Sequence, residues 1–231
     1  MAAIPDSAIS IFHFEDDMND VLGNASISNS GTALSTTQKK FGAKSLYFNG
    51  TTSSGSRLTI TPSSSSIETI AFWFYRTADL TNSWFQTPMC LKQSGTAPNG
   101  AYFHLDDAQY DSYPVWRVAS QTGGALASQT GGTAITTNTW HHVALTRDGT
   151  TFKYYLDGVL QATCVQTSPP TTNILYLGVL MGSSADAATY FQGYIDELII
   201  ATDILWTTNF TPPTDAYGAS SANSFFFGMN F

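Results

Sequence analysis

The sequence predicts an all-β protein, an antiparallel two-sheet β-sandwich or jelly roll. Apolar and polar residues alternate over short segments, which is the period of a strand with one buried face. Gly, Asn and Pro separate these segments, whereas the spacing of an amphipathic helix is hard to find. The pairs Asp148-Gly149 and Asp157-Gly158 stand between alternating segments, and Asp-Gly in that position predicts a tight type I′ hairpin.

Twelve strands are predicted from this alternation and from the turn residues that end each segment. The strongest is Glu68 to Tyr75, in which Ile70, Phe72 and Phe74 alternate with Trp73. The twelve segments, in order, are Ala8–Phe14, Lys44–Phe48, Arg57–Thr61, Glu68–Tyr75, Met89–Lys92, Ala101–Leu105, Val115–Ser120, Trp140–Arg147, Thr151–Leu156, Val159–Val165, Asn173–Leu177 and Gly193–Ala201.

Length and charge limit the domain organisation and the partners. A chain of 231 residues suits one sandwich domain, since such domains run to about 250 residues. We place that domain at residues 1–215 and an aromatic tail at 216–231. Charged residues make up only 11% and the net charge is −8, which argues against a nucleic-acid partner because phosphate binding needs clustered Lys and Arg.

The chain begins without the basic and apolar regions of a secretory signal and has no apolar stretch long enough to cross a membrane. Its uncharged polar composition is typical of extracellular or virion-exposed β proteins. We therefore expect a virion protein, assembled in the host cytoplasm, with no membrane insertion. The two cysteines, Cys90 and Cys164, lie in apolar strand segments, and we expect buried free thiols.

Six segments form a recognisable series along the chain: Phe12–Asp16 with Asn19-Asp20, Lys44–Gly50, Thr69–Tyr75, Thr139–Gly149, Tyr154–Gly158 and Phe191–Leu198. In this order they resemble the laminin-G-like, concanavalin-A-like jelly roll, over about residues 8 to 215. The match implies the same sandwich. A separate stretch, Asn209-Phe210-Thr211-Pro212-Pro213-Thr214, resembles the close of such domains in bacteriophage structural proteins.

The resemblance also implies one structural calcium ion. Many laminin-G-like domains bind it with an early acidic loop and the aspartate of a late strand, which correspond here to Glu15, Asp20 and Asp196. Residues 15–20 hold four carboxylates, and calcium prefers several oxygen ligands. The alternative is a solvated acidic turn. In the Trp140 strand, His141 and His142 must point to opposite faces, and we expect one to be packed and the other to lie at the surface.

Aromatic residues in or near predicted loops are the candidate glycan ligands, because sugars bind an aromatic platform with amide and carboxylate groups beside it. The alternative is that these rings belong to the edge of the core. The four candidates are Trp84, Tyr110, Tyr113 and Trp116.

A hydrolase is disfavoured. Glycosidases of related folds need two carboxylates flanking the scissile bond, and this chain has only three Glu residues: Glu15, Glu68 and Glu197. Asp196 and Glu197 are adjacent on a predicted strand, so their side chains are expected on opposite faces. The sequence contains no catalytic triad, zinc-protease or phosphate-loop motif. We therefore predict no enzymatic activity.

The tail is strongly apolar and predicts a contact with another subunit, through Phe225, Phe226, Phe227 and Phe231. The first functional hypothesis is a structural or adhesive virion protein of a bacteriophage, a head decoration or tail appendage. Its partners would be other virion proteins or copies of itself. The alternative is a lectin-like module that binds a host surface glycan, and a glycoside hydrolase is third.

Overall fold

The computed structural model describes residues 2–50, 56–77, 85–92, 100–106, 114–119, 126–130, 132–167, 174–180 and 190–218. These residues form fifteen strands and no helix. The strands are β1 Ala8–Phe12, β2 Ala25–Ser30, β3 Ala33–Ser35, β4 Ser45–Asn49, β5 Arg57–Pro62, β6 Thr69–Arg76, β7 Phe85–Lys92, β8 Gly100–Asp106, β9 Pro114–Ala119, β10 Leu126–Thr130, β11 Trp140–Asp148, β12 Thr151–Leu156, β13 Val159–Val165, β14 Ile174–Leu177 and β15 Gln192–Ala201.

Two antiparallel sheets build the molecule, which confirms the predicted all-β sandwich. One sheet has the order β13-β12-β11-β6-β15-β4-β3, with β1 as an eighth strand that pairs with β15. The other has the order β10-β9-β8-β7-β14-β5-β2. All twelve predicted strands are present within a few residues of their expected bounds. The three missed strands, β2, β3 and β10, are short segments with few large apolar residues.

The main core lies between the sheets and contains side chains from both. Phe72 and Ile195 come from the eight-stranded sheet, and Leu58, Leu91 and Trp116 come from the other. All five side chains are fully or almost fully buried. The alternation in β6 therefore places Phe72 on the core side, as the sequence predicts, and turns Trp73 to the outer side.

A second apolar cluster covers the outer face of the eight-stranded sheet. Ile11, Ala71, Tyr155 and Ile199 belong to it, together with Tyr217 near the end of the described chain. Residues 203–217, here called the strap, cross this face with the rings of Trp206 and Phe210, which stack 4.1 Å apart and pack against the cluster. The central strand β6 is consequently covered on both faces, and all eight of its residues are buried.

Strand β15 carries a bulge that ties the two ends of the domain together. Its register against β6 shifts between Asp196 and Ile199, and Glu197 takes a positive φ of 50°. The Glu197 carboxylate accepts a hydrogen bond from the backbone N of Tyr217 at 3.0 Å and pairs with Nδ1 of His13 at 2.8 Å. The hydrogen bond to Glu197 raises the pKa of His13.

Candidate functional site

An open depression of about 480 Å³ lies where four segments meet at one end of the eight-stranded sheet. This volume is within the range of small-molecule sites, which is about 300–1,000 Å³. The segments are the loop before β4, the residues leading into β11, the β12–β13 turn and the strap. The lining residues are Lys40, Trp73, Thr139, Trp140, His141, Asp157, Pro212, Pro213 and Thr214.

Two indole rings in the depression are placed by strand register. Trp73 on β6 lies opposite His142 on β11, and Trp140 lies opposite Tyr75. The rings of Tyr75 and Trp140 are 5.5 Å apart. Trp140 is half-buried, so part of its ring faces the depression.

The Trp140 ring ends a row of aromatic side chains that crosses four neighbouring strands. Tyr47, Tyr194 and Tyr75 are successive cross-strand partners on β4, β15 and β6. Ring centroids are separated by 5.1 Å between Tyr47 and Tyr194 and by 5.9 Å between Tyr194 and Tyr75. Such cross-strand aromatic pairs stabilise a sheet, so Trp140 is held on a rigid support.

Lys40 forms the opposite wall of the depression. Its Nζ atom lies 3.7 Å from the ring centroid of Trp73, in cation–π geometry. Phe41 contacts the same indole edge-on at 6.2 Å. Burial lowers the pKa of Lys40, against the opposing effect of Asp157 and Asp196.

Asp157 supplies the carboxylate of the depression. It is the first residue of the Asp-Gly turn, with φ of 50°, and its side chain is 44% exposed. Its Oδ1 accepts the backbone N–H of His142 and its Oδ2 pairs with Nδ1 of His141, both at 2.8 Å. Burial acts to raise the pKa of Asp157, but these hydrogen bonds outweigh it and the net pKa is lowered. The other ring nitrogen of His141 contacts the Thr136 hydroxyl at 3.0 Å.

Both histidines of β11 are buried, which corrects the expectation that one lies at the surface. They do point to opposite sides: His141 packs near Phe74, and His142 lies edge-on to Trp206 and Phe210. The strap covers His142, which is 1% exposed. Burial lowers the pKa of His142 to about 3, so its imidazole is neutral.

Trp116 is a core residue, and its assignment as a glycan platform is wrong. Its side chain is 0% exposed and its ring lies 5.0 Å from that of Tyr154 in the opposite sheet. A sugar cannot reach it, because it fills the space between the layers. The other three predicted aromatics, Trp84, Tyr110 and Tyr113, lie outside the described residues.

The predicted calcium ligands do not converge on one point. Asp20 accepts three backbone N–H groups, from Ile11, Leu22 and Asn24. Glu15 and Asp20 line one acidic cleft of about 290 Å³, and Asp196 is not part of its lining.

The oxygens of Glu15 and Asp196 likewise accept backbone N–H groups. In the described part of the chain, no three His, Cys, Asp or Glu side chains form a group able to hold a metal. The three carboxylates therefore do not fit a single calcium site, and the calcium ion stays a sequence-based prediction.

Asp196 and Glu197 lie on the same side of the sheet, contrary to the expectation from strand alternation. The bulge adds one residue to β15 and so breaks the alternation. Asp196 contacts the loop beside Trp73, and Glu197 contacts Tyr217 of the outer cluster. Burial raises the pKa of Asp196 to about 7. The two side chains are 0% and 3% exposed, so substrate cannot reach this carboxylate pair.

Two further predictions concern the cysteines and the tail. Cys90 and Cys164 are free and buried, as expected. The subunit-contact residues Phe225, Phe226, Phe227 and Phe231 lie outside the described residues. Among the residues that are described, none belongs to a helix long and apolar enough to span a membrane.

Sequence reasoning did not assign Trp73, Trp140, Lys40 or Asp157 to a site. The sequence places Trp73 and Trp140 in strands and Asp157 in a hairpin turn, and it gives Lys40 no role. One signal could have pointed to this site: several predicted strands carry an aromatic residue on the same face, and these strands are neighbours in the sheet. Sequence alone does not reveal which strands are neighbours.

A family model described as the concanavalin A-like lectin/glucanases superfamily matches residues 49–206. No curated protein sequence matches the chain.

Solved structures with the same fold include domain 4 of AbnA, an extracellular arabinanase from Geobacillus stearothermophilus, in complex with arabinotriose. It is 18% identical, with a TM-score of 0.58, and the match covers 84% of this chain and 92% of that domain. The binding domain of botulinum neurotoxin serotype G is 13% identical, with a TM-score of 0.59 over 88% of this chain and 48% of that one.

Trypanosoma rangeli sialidase in complex with sialic acid is 13% identical, with a TM-score of 0.63 over 91% of this chain and 32% of that one. The chain thus spans about half of the neurotoxin domain and a third of the sialidase. At these identities the likeness shows the fold alone.

Proposed function

Because the chain belongs to the concanavalin A-like lectin/glucanases superfamily, we propose that it binds a glycan in the depression between Lys40 and Trp140 and does not cleave it. The observation that carries the proposal is the pairing of an indole ring with charged hydrogen-bonding groups in one open site. Trp140 offers aromatic surface, and Asp157 and Lys40 offer an acceptor and a donor for sugar hydroxyls. Trp73 is 8% exposed and lies beneath the Lys40 ammonium, so it supports this wall and does not contact the ligand itself.

Similar structures support a sugar as the ligand class. Domain 4 of the arabinanase carries arabinotriose, and the sialidase carries sialic acid. The match covers nearly all of the arabinanase domain, so it concerns a sandwich of the same extent as this chain.

The placement of the carboxylates supports binding without cleavage. Glycoside hydrolysis needs two carboxyl groups on either side of the bond. Among the residues that the structure describes, Asp157 is the single carboxylate that lines the depression, and it is engaged with His141. The buried Asp196–Glu197 pair is closed to substrate. A binding site without cleavage is the function that this arrangement supports.

The setting that we propose is a virion surface, where the sandwich would display the glycan site to a host. Support comes from the low charge content, from the Asn209–Thr214 ending and from the aromatic tail. A subunit contact through that tail stays a prediction, and deletion of residues 218–231 should abolish assembly while leaving the sandwich folded. Assembly by the shortened chain would contradict it.

A glycan array probed with the labelled chain tests the binding proposal. The wild type should bind a defined set of glycans, and Trp140→Ala should weaken that binding by about tenfold or more, since a half-buried indole in a binding site is a typical hot spot. Tyr176→Ala is the matched control, because this half-buried aromatic residue lies on β14 in the other sheet, outside the lining of the depression. The control should bind as the wild type does once its folding has been verified by thermal melting.

Two results would overturn the proposal: no binding to any glycan, or equal binding by the wild type and Trp140→Ala. Release of reducing sugar from a bound glycan would contradict the second half of it, the absence of cleavage.

A further inference from the structure

The buried carboxylate of Asp196 holds the loop that carries Lys40. Its Oδ2 atom accepts hydrogen bonds from the backbone N of Lys40 at 2.7 Å and of Phe41 at 3.2 Å. Its Oδ1 atom accepts the backbone N–H of Glu197 at 2.9 Å. The bulge in β15 brings the carboxylate to this side of the sheet, and the side chain is 0% exposed. These three hydrogen bonds therefore all fix the backbone, two in the loop that carries Lys40 and one in β15 itself.

A second carboxylate holds the other end of the same loop. Glu15 accepts the backbone N–H of Ala43 at 2.8 Å and that of Lys44 at 3.2 Å through Oε2. Between the two anchors, Gly42 takes a φ of 58°. A Cβ atom on Gly42 would lie 1.8 Å from Oε1 of Glu15, so the loop and the carboxylate fit closely. Residues 40–44, here called the Lys40 loop, therefore donate four backbone N–H groups to two acidic side chains.

This arrangement differs from a cation site in its polarity. A calcium ion needs oxygen lone pairs directed at it from several sides. Here the lone pairs of Glu15 and Asp196 face the positive ends of amide dipoles, which would repel a cation placed between them. The partial positive charges of the backbone N–H groups stabilise the two carboxylates, a role that a bound metal ion has in a cation site.

We infer that Asp196 and Glu15 are positioning residues that preform the Lys40 wall of the depression without a metal ion. They act through the loop: the anchored backbone fixes where the Lys40 side chain starts, and its ammonium then reaches the ring of Trp73 at 3.7 Å. The inference rests on the proposed function in one respect only, namely that the depression is the ligand site.

Amide hydrogen exchange, resolved by residue, tests the inference without any glycan. In the wild type, the Lys40 and Phe41 amides should be protected, and neither EDTA nor millimolar calcium chloride should change that protection. At pH 8, where the Asp196 carboxylate is ionised because its pKa is about 7, Asp196→Asn should lower it by about tenfold or more, as expected for loss of charge-assisted hydrogen bonds. Glu15→Gln should lower protection at Ala43 and Lys44 in the same way.

Asp20→Asn is the matched control, since Asp20 is also a buried carboxylate that accepts three backbone N–H groups, but in a different segment. Asp20→Asn should lower the melting temperature. After correction for that lower global stability, the hydrogen-exchange protection of the Lys40 loop should be unchanged. If Asp196 only stabilised the fold as a whole, Asp196→Asn and Asp20→Asn would have the same effect on hydrogen exchange in the Lys40 loop.

Loss of protection in EDTA, or a rise in melting temperature with calcium, would overturn the inference, as would full protection of Lys40 and Phe41 in Asp196→Asn. If Asp196→Asn does not fold, the wild-type metal series and Glu15→Gln still decide the question. A failed glycan array would leave all of these measurements intact, so the two proposals can fail separately.

Discussion

The ammonium group of Lys40 lies directly over the indole of Trp73, with 3.7 Å between Nζ and the ring centroid. Two residues 33 positions apart in the sequence thus form one wall and part of the floor of the depression. The contact joins the loop before β4 to the middle of β6.

Lys40→Met should lower the free energy of unfolding by about 1 kcal/mol, because it removes a half-buried cation–π contact and keeps the length of the side chain. Urea unfolding measures the change. Lys39→Met is the control, since Lys39 is exposed and adjacent, and it should change stability by less than about 0.5 kcal/mol. Equal effects of the two substitutions would contradict the prediction.

The two Asp-Gly hairpins should respond differently to alanine. Gly149 and Gly158 both have positive φ, 55° and 78°, so alanine at either should cost about 1–2 kcal/mol in backbone strain. A Cβ at Gly149 meets open space, whereas one at Gly158 would lie 1.9 Å from the carbonyl oxygen of Phe210 in the strap.

Gly158→Ala should therefore cost about 1–3 kcal/mol more than Gly149→Ala, owing to overpacking. Thermal melting of the two variants compares them. Limited proteolysis within the strap should also speed up only in Gly158→Ala, because the hydrogen bond from the Phe210 N–H to the Gly158 carbonyl oxygen would be displaced. Equal melting temperatures for the two variants would refute the strap contact.

The Asp157 carboxylate should stabilise the fold in a pH-dependent way. Its folded pKa lies below the ordinary value of 3.8, because hydrogen bonds from His141 and His142 outweigh desolvation. A depressed pKa contributes stability that is fully present above the unfolded value and is lost as the pH falls through the folded pKa.

Asp157→Asn keeps the size of the side chain, and Asn tolerates positive φ. Wild type should exceed Asp157→Asn in stability by about 1 kcal/mol at neutral pH, a value discounted for the exposure of the side chain. The difference should be full above the ordinary value of 3.8 and should shrink as the pH falls through the lowered folded pKa. Urea unfolding of both proteins across this range measures it, and a difference that persists in acid would exclude the ionised carboxylate as its source.

Both thiols should be inert in the native protein. Cys90 and Cys164 are 1% and 3% exposed, and burial raises the pKa of Cys164 to about 11, so little reactive thiolate forms at neutral pH. Ellman's reagent should detect almost no thiol in the folded chain and both after guanidinium denaturation. Rapid reaction of either cysteine in native conditions would show that its surroundings open readily.

Much of the fold follows from the sequence because the responsible signals are local. Alternation in Glu68–Tyr75 and the Asp-Gly pairs depend on residues close together in the chain, and the corresponding strands and hairpins are present. The predicted type I′ geometry holds at Asp157-Gly158, where both residues have positive φ. It is wrong for the other hairpin, whose central residues are Gly149 and Thr150, because only Gly149 has positive φ there. The prediction that Asp196 and Glu197 face opposite sides fails because alternation holds only while register is regular, and the bulge in β15 interrupts it.

The candidate site depended on information that is not local. Trp116 and Trp140 both occur in alternating strand segments, yet one fills the core and the other borders an open depression. The difference arises from which strand and which segment lies next to each ring. His142 shows the same effect, since the strap that buries it comes from more than 60 residues further along the chain.

The sequence by itself determined the class of fold, the positions of most strands, the tight hairpins and the buried state of the thiols, since each depends on the polarity and turn preference of neighbouring residues. Only the tertiary structure decided that Lys40, Trp73, Trp140 and Asp157 meet, and that Asp196 and Glu15 accept hydrogen bonds from the backbone of one loop. Sheet order and the crossing of the strap bring together groups far apart in the chain, and these pairings depend on the packing of the whole domain.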